Sequence, residues 1–184
     1  MNLYLFLFLV TAVCFGLQFE PFSHVMAWQA DAIENGQWWR IVTGNFTNTN
    51  FAHLAMNLLG LWVIGYLFQP KPRYFALLTL LISTWIGISL LFTNMVNYVG
   101  LSGTLHGLFA FYALNEALGG RKSSWLLVIG VMLKVASEQL FGASDSTAEM
   151  IGARVATEAH LAGLLGGLLL ASIAEMKKRQ YLKK

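Results

Sequence analysis

The sequence predicts an all-α polytopic membrane protein with six transmembrane helices and both termini in the cytoplasm. Apolar residues make up 57% of the 184 residues and charged residues only 11%, which is too little charge to cover a soluble domain of this size. The apolar residues fall in runs long enough to cross a hydrocarbon core about 30 Å thick. The composition therefore excludes a soluble enzyme, a disordered regulator and a DNA-binding module, and no nucleic-acid partner is expected.

Six apolar runs are the predicted transmembrane spans, at residues 3–19, 53–69, 74–92, 101–118, 124–141 and 153–174. The first run lacks the basic start and the small-residue cleavage site of a signal peptide, so we expect a retained helix. Pro70 and Pro72 end the second span because proline cannot continue a helix. Gly119-Gly120-Arg121-Lys122 ends the fourth. Nothing in the pattern indicates a second domain, so residues 1–184 are expected to form a single membrane domain.

The basic residues predict how the chain is oriented. Nine of the twelve lysine and arginine residues fall on one side of the predicted spans, namely Lys71, Arg73, Arg121, Lys122, Lys177, Lys178, Arg179, Lys183 and Lys184. An excess of basic residues marks the cytoplasmic side of a membrane protein. Residues 20–52, 93–100 and 142–152 are then outside. The basic C-terminal cluster is expected to contact anionic membrane lipids.

The first outer loop, residues 20–52, is unusually aromatic. It contains Trp28, Trp38 and Trp39 together with several phenylalanines. Tryptophan at this density is typical of a segment that lies in the membrane interface. An aromatic belt that only anchors the neighbouring helices is the other interpretation.

Several polar side chains occupy one layer inside the predicted bundle. Burying such groups in hydrocarbon is unfavourable unless they are paired or used. Helical rise places them roughly 20–26 Å above the cytoplasmic ends of the second, fourth and sixth helices. They are His53, Asn57, Ser102, His106 and His160. This layer lies below the outer surface, where water can reach it through the outer loops.

The segment Gly100-Leu101-Ser102-Gly103 places a serine at the start of the fourth helix. Gly100 permits the turn that begins the helix, and Gly103 is expected to clear space beside the Ser102 hydroxyl. The free amides of the first turn are candidate donors for an oxyanion. In membrane helices, serine beside glycine also serves close packing, which is the alternative interpretation.

His160 lies beside a strip of small residues on the sixth helix. Ala159, Gly163 and Gly167 are four residues apart, so this helix can approach a neighbour closely. If that neighbour is the fourth helix, the His160 imidazole reaches Ser102 and can act as its general base. The alternative is a histidine that only forms a stabilising hydrogen bond between helices.

His53 and Asn57 are spaced i,i+4 and project from one face of the second helix. An imidazole N–H and an amide aimed at the same point can stabilise an oxyanion. No carboxylate lies at this depth on the second, fourth or sixth helix, so the pattern favours a Ser-His dyad over a triad.

Three further residues have less certain roles. His106, one turn below Ser102, is a rival general base that would be poorly aligned for catalysis. Lys134 and Glu138 on the fifth helix are spaced i,i+4 and are expected to neutralise each other.

Taken together, four motifs make the chain resemble the rhomboid family of intramembrane serine proteases, most closely the compact six-helix bacterial GlpG type. The likeness covers nearly the whole chain. The motifs are Trp39-Arg40, His53-x-x-x-Asn57, Gly100-Leu101-Ser102-Gly103 and Ala159-His160-Leu161-Ala162-Gly163.

The resemblance implies a six-helix rhomboid bundle that acts as a serine endopeptidase. Transmembrane protein substrates would enter laterally from the bilayer and be cleaved near the outer ends of their helices, without a metal or organic cofactor. The site would open to the periplasmic side of a bacterial inner membrane. The resemblance also implies that residues 142–152 cap the site and that the fifth helix lies near the substrate entry.

The resemblance also assigns roles to individual residues. Ser102 would be the nucleophile and His160 the general base, while His53, Asn57 and the Ser102 amide would stabilise the oxyanion. Gly100, Gly103, His106 and Gly163 would support the site structurally. His106 stands where relatives often carry a tyrosine that stacks on the base.

Three other functions remain open from the sequence. In a haem-binding membrane cytochrome, His53 and His160 would be axial ligands on facing helices, which leaves Ser102 unexplained. A transporter with a histidine proton relay would be expected to show repeated halves, which are not visible here. A catalytically inactive rhomboid relative that binds membrane clients is the third.

Overall fold

The structure is a computed structural model that describes residues 2–182, and most of it is helical. A 3-10 turn at Gly44–Phe46 follows the short helix Arg40–Thr43 and precedes the helix that begins at Phe51. In chain order the elements are α1 (Leu3–Gly16), α2 (Phe22–Met26), β1 (Trp28–Gln29), α3 (Ala30–Glu34), α4 (Arg40–Thr43), α5 (Phe51–Phe68), α6 (Pro72–Leu90), β2 (Asn97–Tyr98), α7 (Ser102–Leu118), α8 (Ser124–Phe141), α9 (Asp145–Ile151) and α10 (Thr157–Tyr181).

Among the described residues, four helices are long and apolar enough to cross a membrane: α5, α6, α8 and α10. α1 is apolar but has 14 residues, and α7 has 17. A 14-residue helix extends about 21 Å, less than a hydrocarbon core of about 30 Å. The predicted helical membrane class is confirmed, whereas six spans and cytoplasmic termini stay predictions. Lys183 and Lys184, which contributed to the predicted orientation, lie outside the described residues.

Most helix boundaries differ from the predicted spans, with α8 alone matching at both ends, and two of the differences have a plain physical reason. α6 begins at Pro72, because proline is well suited to the first helical position, where its missing N–H needs no partner. α10 begins at Thr157 and continues to Tyr181, beyond the predicted end at residue 174. Near that end, Arg179 pairs with Glu175 at 2.7 Å. Such i,i+4 pairs support a helix after it leaves the apolar layer.

The predicted outer loop at residues 20–52 is folded. It contains α2, α3, α4 and β1, and β1 pairs antiparallel with β2 so that Trp28 lies opposite Tyr98. Trp28 is fully buried and donates a hydrogen bond to the Gly87 carbonyl of α6 at 2.9 Å. Arg40 is also buried and donates to two main-chain carbonyls at residues 24 and 27. The Trp28 bond holds the loop against α6, and the Arg40 bonds hold the loop segments to one another.

α7 and α10 pack with their main chains in direct contact. A Cβ on Gly163 would collide with the Gly103 carbonyl oxygen, and one on Gly167 would collide with the Gly107 carbonyl oxygen. A Cβ on Gly103 would lie 2.8 Å from the Ala159 carbonyl oxygen. Small residues permit this approach, as predicted from the sixth helix. Gly103 therefore serves helix packing, and its predicted role of clearing space beside the Ser102 hydroxyl stays a prediction.

The predicted outer loop at residues 142–152 contains a short helix, α9, that the sequence interpretation missed. Its signal was Ser144, whose hydroxyl caps the helix by accepting a hydrogen bond from the Thr147 amide at 3.2 Å. The Thr49 hydroxyl donates to the Ile151 carbonyl at 2.6 Å. α9 is therefore attached to the chain just before α5, next to the polar layer.

Candidate active site

Ser102 is the first residue of α7 and follows a tight glycine turn. Gly100 has a φ of +129°, a conformation that side chains rarely adopt. The Tyr98 hydroxyl donates a hydrogen bond to the Gly100 carbonyl at 2.6 Å. Burial raises the pKa of Tyr98, so it remains a donor at neutral pH. The turn places Ser102 at a helix N-terminus, where main-chain amides lack partners within the helix.

The structure brings Ser102 and His160 together. His160 Nε2 lies 2.9 Å from Ser102 Oγ, and the imidazole is 4% exposed. The contact follows from the packing of α7 on α10, because Gly103 and Ala159, the sequence neighbours of the two residues, touch each other. The small-residue spacing had predicted this approach. A serine hydroxyl hydrogen-bonded to a buried imidazole is the arrangement from which a base can remove the hydroxyl proton.

Glu138 supplies a carboxylate that the sequence interpretation did not place in the site. Its Oε2 lies 2.7 Å from His160 Nδ1, and its Oε1 pairs with Lys134 as the i,i+4 spacing predicted. The predicted Ser-His dyad did not include this contact and stays a prediction. It rested on the second, fourth and sixth helices, whereas Glu138 lies on α8, roughly 21 Å above the start of that helix. That depth, close to the depth of His160, was the available signal.

His106 packs against the face of His160. The two imidazole rings are stacked with centroids 4.2 Å apart and planes 22° apart. His106 Nδ1 lies 2.8 Å from the Ser102 carbonyl oxygen, which can only accept, so Nδ1 carries the proton. The Ser102 hydroxyl contacts His160. The geometry therefore favours His160 over His106 as the base and makes His106 a support for the imidazole plane.

His53 and Asn57 project from α5 toward the Gly100 turn. A Cβ on Gly100 would lie 2.9 Å from His53 Nε2 and 3.7 Å from Asn57 Nδ2, so both groups approach one point. Asn57 Nδ2 donates to Asn48 Oδ1 at 2.7 Å, which uses one of its two hydrogens. His53 Nδ1 lies 3.1 Å from Thr49 Oγ1. The i,i+4 spacing predicted this convergence beside the serine turn.

The polar layer lines a cavity of about 610 Å³ that extends between α5 and α8. Most of the remaining lining is apolar, as in sites that receive apolar ligands. α9 contributes Thr147 and Ile151 at one end of the cavity. The apolar lining includes Met56, Val63, Leu105, Leu126 and Val131. The cavity thus joins the serine to apolar helix surfaces.

Three side chains come close enough to be considered as a metal site. The ligand atoms of His106, Glu138 and His160 lie within 4.8 Å of one another. A histidine lone pair lies in the plane of its ring, and the two rings are stacked nearly parallel, so an ion in one plane lies outside the other. Both nitrogens of His160 already contact Glu138 and Ser102. The residues fit a hydrogen-bonded cluster better than a metal centre.

Comparison with known proteins identifies the family. The family model described as Rhomboid domain matches residues 35–176. The YdcA protein of Bacillus subtilis, whose name assigns it provisionally to the rhomboid proteases, is 32% identical over 165 residues, which cover 81% of this chain and 74% of that protein.

Two further relatives match a smaller part of their own length. Rhomboid-like protein 11 of Arabidopsis thaliana, a chloroplastic protein, is 31% identical over 147 residues, covering 72% of this chain and 51% of the relative. Rhomboid protease GlpG of Serratia proteamaculans is 28% identical over 157 residues, covering 83% and 54%. The chain thus spans about half the length of these two relatives.

The region matched by the family model contains Ser102, Glu138 and His160, together with both polar residues of α5. With the membrane-length helices and the half-buried serine beside a buried histidine, the match is consistent in sequence and in structure. This chain belongs to the rhomboid family.

Proposed function

We propose that the protein is an intramembrane serine endopeptidase that cleaves transmembrane segments of membrane proteins. The observation that carries the proposal is the 2.9 Å contact between Ser102 Oγ and His160 Nε2 at the base of a cavity lined by apolar helix surfaces. The names of the relatives as rhomboid proteases support the same activity.

In the proposed reaction, His160 Nε2 takes the Ser102 hydroxyl proton as Oγ attacks the scissile carbonyl carbon. The proton then passes from His160 to the leaving amine, which leaves an acyl ester on Ser102. Water, activated by the same imidazole, hydrolyses the ester and regenerates the serine. Burial of the His160 imidazole strengthens the electrostatic interactions that it makes in these steps.

The negative oxygen formed during attack needs hydrogen-bond donors. The Ser102 amide lies at the N-terminus of α7, and His53 and Asn57 converge on the adjacent Gly100 turn. We assign these three groups to oxyanion stabilisation. Loss of one such donor typically lowers the rate by about 100-fold to 1,000-fold.

The cavity supports lateral entry of the substrate. It opens between α5 and α8, whose cavity-facing side chains are largely apolar, so a transmembrane segment can approach without crossing water. We place the site toward the periplasmic side of a bacterial inner membrane, with six spans and cytoplasmic termini. The basic residues that end α10 would then contact the anionic inner leaflet.

The structure gives less support to the cytochrome alternative. A haem ligand needs a free imidazole nitrogen, but His160 uses both of its nitrogens in hydrogen bonds to Glu138 and Ser102. An inactive client-binding protein would not need a serine hydroxyl bonded to a buried imidazole.

The proposal is tested by reconstituting the wild type and Ser102→Ala in proteoliposomes with a model transmembrane substrate. Ser172→Ala is the matched control, because Ser172 is an exposed helix serine that bonds its own main chain at Leu168. We expect cleavage and labelling by a fluorophosphonate probe in the wild type and the control, and neither in Ser102→Ala. Equal cleavage by Ser102→Ala, or no cleavage by any protein, contradicts the proposal.

A further inference from the structure

We propose that Glu138 is a positioning residue for catalysis and that the site works as a Ser102-His160-Glu138 triad. This inference rests on the proposed protease function. It extends that function because a Ser-His dyad has no catalytic partner at His160 Nδ1. In the structure both imidazole nitrogens are held, Nδ1 at 2.7 Å from Glu138 Oε2 and Nε2 at 2.9 Å from Ser102 Oγ.

The Glu138 contact fixes the tautomer of His160. An ionised carboxylate can only accept a hydrogen bond, so Nδ1 must carry the proton of the neutral imidazole. The lone pair is then on Nε2, the nitrogen that faces the serine hydroxyl. This is the tautomer that a general base requires, and a neutral histidine without such a partner can adopt the other one.

The surroundings keep Glu138 able to accept. Its side chain is 4% exposed, and an isolated buried carboxylate would be unstable. Its second oxygen pairs with Lys134, whose side chain is 57% exposed and reaches the cavity. The lysine balances the carboxylate charge one helical turn away on the same face of α8. Glu138 thus has one oxygen for charge balance and one for His160.

Other charged and titratable groups near His160 do not replace Glu138 at Nδ1. α7 contributes His106, which stacks on the ring face. α5 contributes His53, which lies over the Gly100 turn. On α10 itself, Glu158 pairs with Arg154 at 3.0 Å. Among these groups, together with Lys134 on α8, Glu138 is the one whose oxygen bonds Nδ1.

The proposed role has a defined part in proton transfer. When the Ser102 proton moves to Nε2, the Nδ1 proton remains on His160, hydrogen-bonded to Glu138. The imidazolium formed in this step lies against a carboxylate, which stabilises it. When Nε2 gives its proton to the leaving amine, the imidazole returns to the neutral tautomer that it had before attack.

The experiment compares wild type, Glu138→Gln, Glu138→Asp and Ser102→Ala in proteoliposomes, with kcat/KM measured across pH. Glu34→Gln is the control, an exposed glutamate on α3. We expect Glu138→Gln to lower kcat/KM by roughly 100-fold or more, and Glu138→Asp to recover part of that loss. In Glu138→Gln, the acid limb of the profile of kcat/KM against pH should move to lower pH. The reason is that the His160 imidazolium has lost the carboxylate that stabilises it.

A merely structural role would lower activity at every pH without moving the acid limb. The triad is overturned if Glu138→Gln keeps wild-type kcat/KM, or if its loss comes without a shift of the profile. In both cases, the proposed protease function is still supported if the wild type cleaves the substrate and Ser102→Ala does not. A wild type that cleaves no faster than Ser102→Ala overturns the proposed function itself. If Glu138→Gln unfolds in detergent, Glu138→Asp decides. Its carboxylate is one methylene shorter, so the triad predicts a lower kcat/KM together with a partly shifted acid limb. An unchanged kcat/KM, or a lower kcat/KM with an unmoved acid limb, rejects the triad.

Discussion

At the scale of single residues, Gly100 shows how one position can be constrained twice. Its φ of +129° disfavours any side chain, and the His53 imidazole occupies the space where a Cβ would be. The turn therefore determines both the start of α7 and the place where the α5 donors meet it. Ser102 depends on this residue for its position through the main chain alone, because glycine has no side chain.

We predict that Gly100→Ala impairs the site more than backbone strain alone explains. Gly120 is the matched comparison, because its φ is +104° but a Cβ there would meet nothing within 4 Å. Both alanine variants should lose about 1–3 kcal/mol of stability through strain. Only Gly100→Ala should also lose fluorophosphonate labelling, because its Cβ displaces His53. Thermal unfolding in detergent and labelling rates measure the two effects. Equal labelling of both variants would show that the turn tolerates a side chain.

His106 gives a second prediction at this scale. If it only supports the plane of the His160 ring, His106→Phe should keep kcat/KM within about threefold, because an aromatic ring can replace the stack. His106→Ala should lower kcat/KM by about threefold to tenfold, the value of an aromatic pair. If His106 were the base, His106→Phe would be as inactive as Ser102→Ala. Steady-state cleavage of a transmembrane substrate measures the difference.

Part of the site could be predicted from the residues themselves. The glycine before Ser102 and the small residues around His160 impose geometry that few other folds satisfy, so the approach of α7 and α10 was visible in the sequence. Glu138 was not, because its i,i+4 spacing to Lys134 already explained both charges. The rotation of α8 about its axis decides whether that pair faces lipid or His160. Periodicity does not specify this rotation when both faces of a membrane helix are apolar.

At the scale of elements, the packing of α7 on α10 determines the distance between Ser102 and His160. Main-chain atoms of the two helices touch at successive glycines, so no side chain separates them. The predicted boundaries were less accurate where an element depends on distant partners. β1 and β2 have two residues each and form because the outer loop folds back on the segment before α7. Such a pairing leaves no local pattern in the sequence.

We predict that Gly163→Ala destabilises the protein and misaligns the site. Its Cβ would collide with the Gly103 carbonyl oxygen, so the helices must separate, which costs about 1–3 kcal/mol. Gly130→Ala on α8 is the control, since a Cβ there meets nothing within 4 Å and alanine favours a helix by about 1 kcal/mol. Unfolding by denaturing detergent and labelling of Ser102 measure both effects. Unchanged unfolding of Gly163→Ala would contradict close packing.

At the scale of the whole molecule, the orientation of the chain in the membrane is the property whose prediction depends most on the sequence. Four helices have the length and composition of membrane spans among the residues described, while α1 and α7 are shorter. Helix lengths alone do not show which face is cytoplasmic. The distribution of lysine and arginine predicts that face through the positive-inside rule.

We predict that the segment before α9 is outside the cell membrane and the segment before α8 is inside. Cys14 is the single cysteine and is buried, so a Cys14→Ser background suits cysteine labelling. Ser144→Cys should react with an impermeant maleimide on spheroplasts. Ser123→Cys should react only after the membrane is permeabilised. The reverse pattern would invert the proposed topology and place the site on the cytoplasmic side.

We expect the different attachments of α7, α8 and α10 to make the site sensitive to bilayer thickness. Contact between backbones fixes α7 on α10, whereas α8 exposes Leu133 and Leu140 away from the cavity. Hydrophobic mismatch acts on a helix by changing its tilt. A tilt of α8 changes the Glu138 to His160 distance and leaves the Ser102 to His160 distance unchanged. Lipid chain length would then tune the alignment of the base while the nucleophile stays in place.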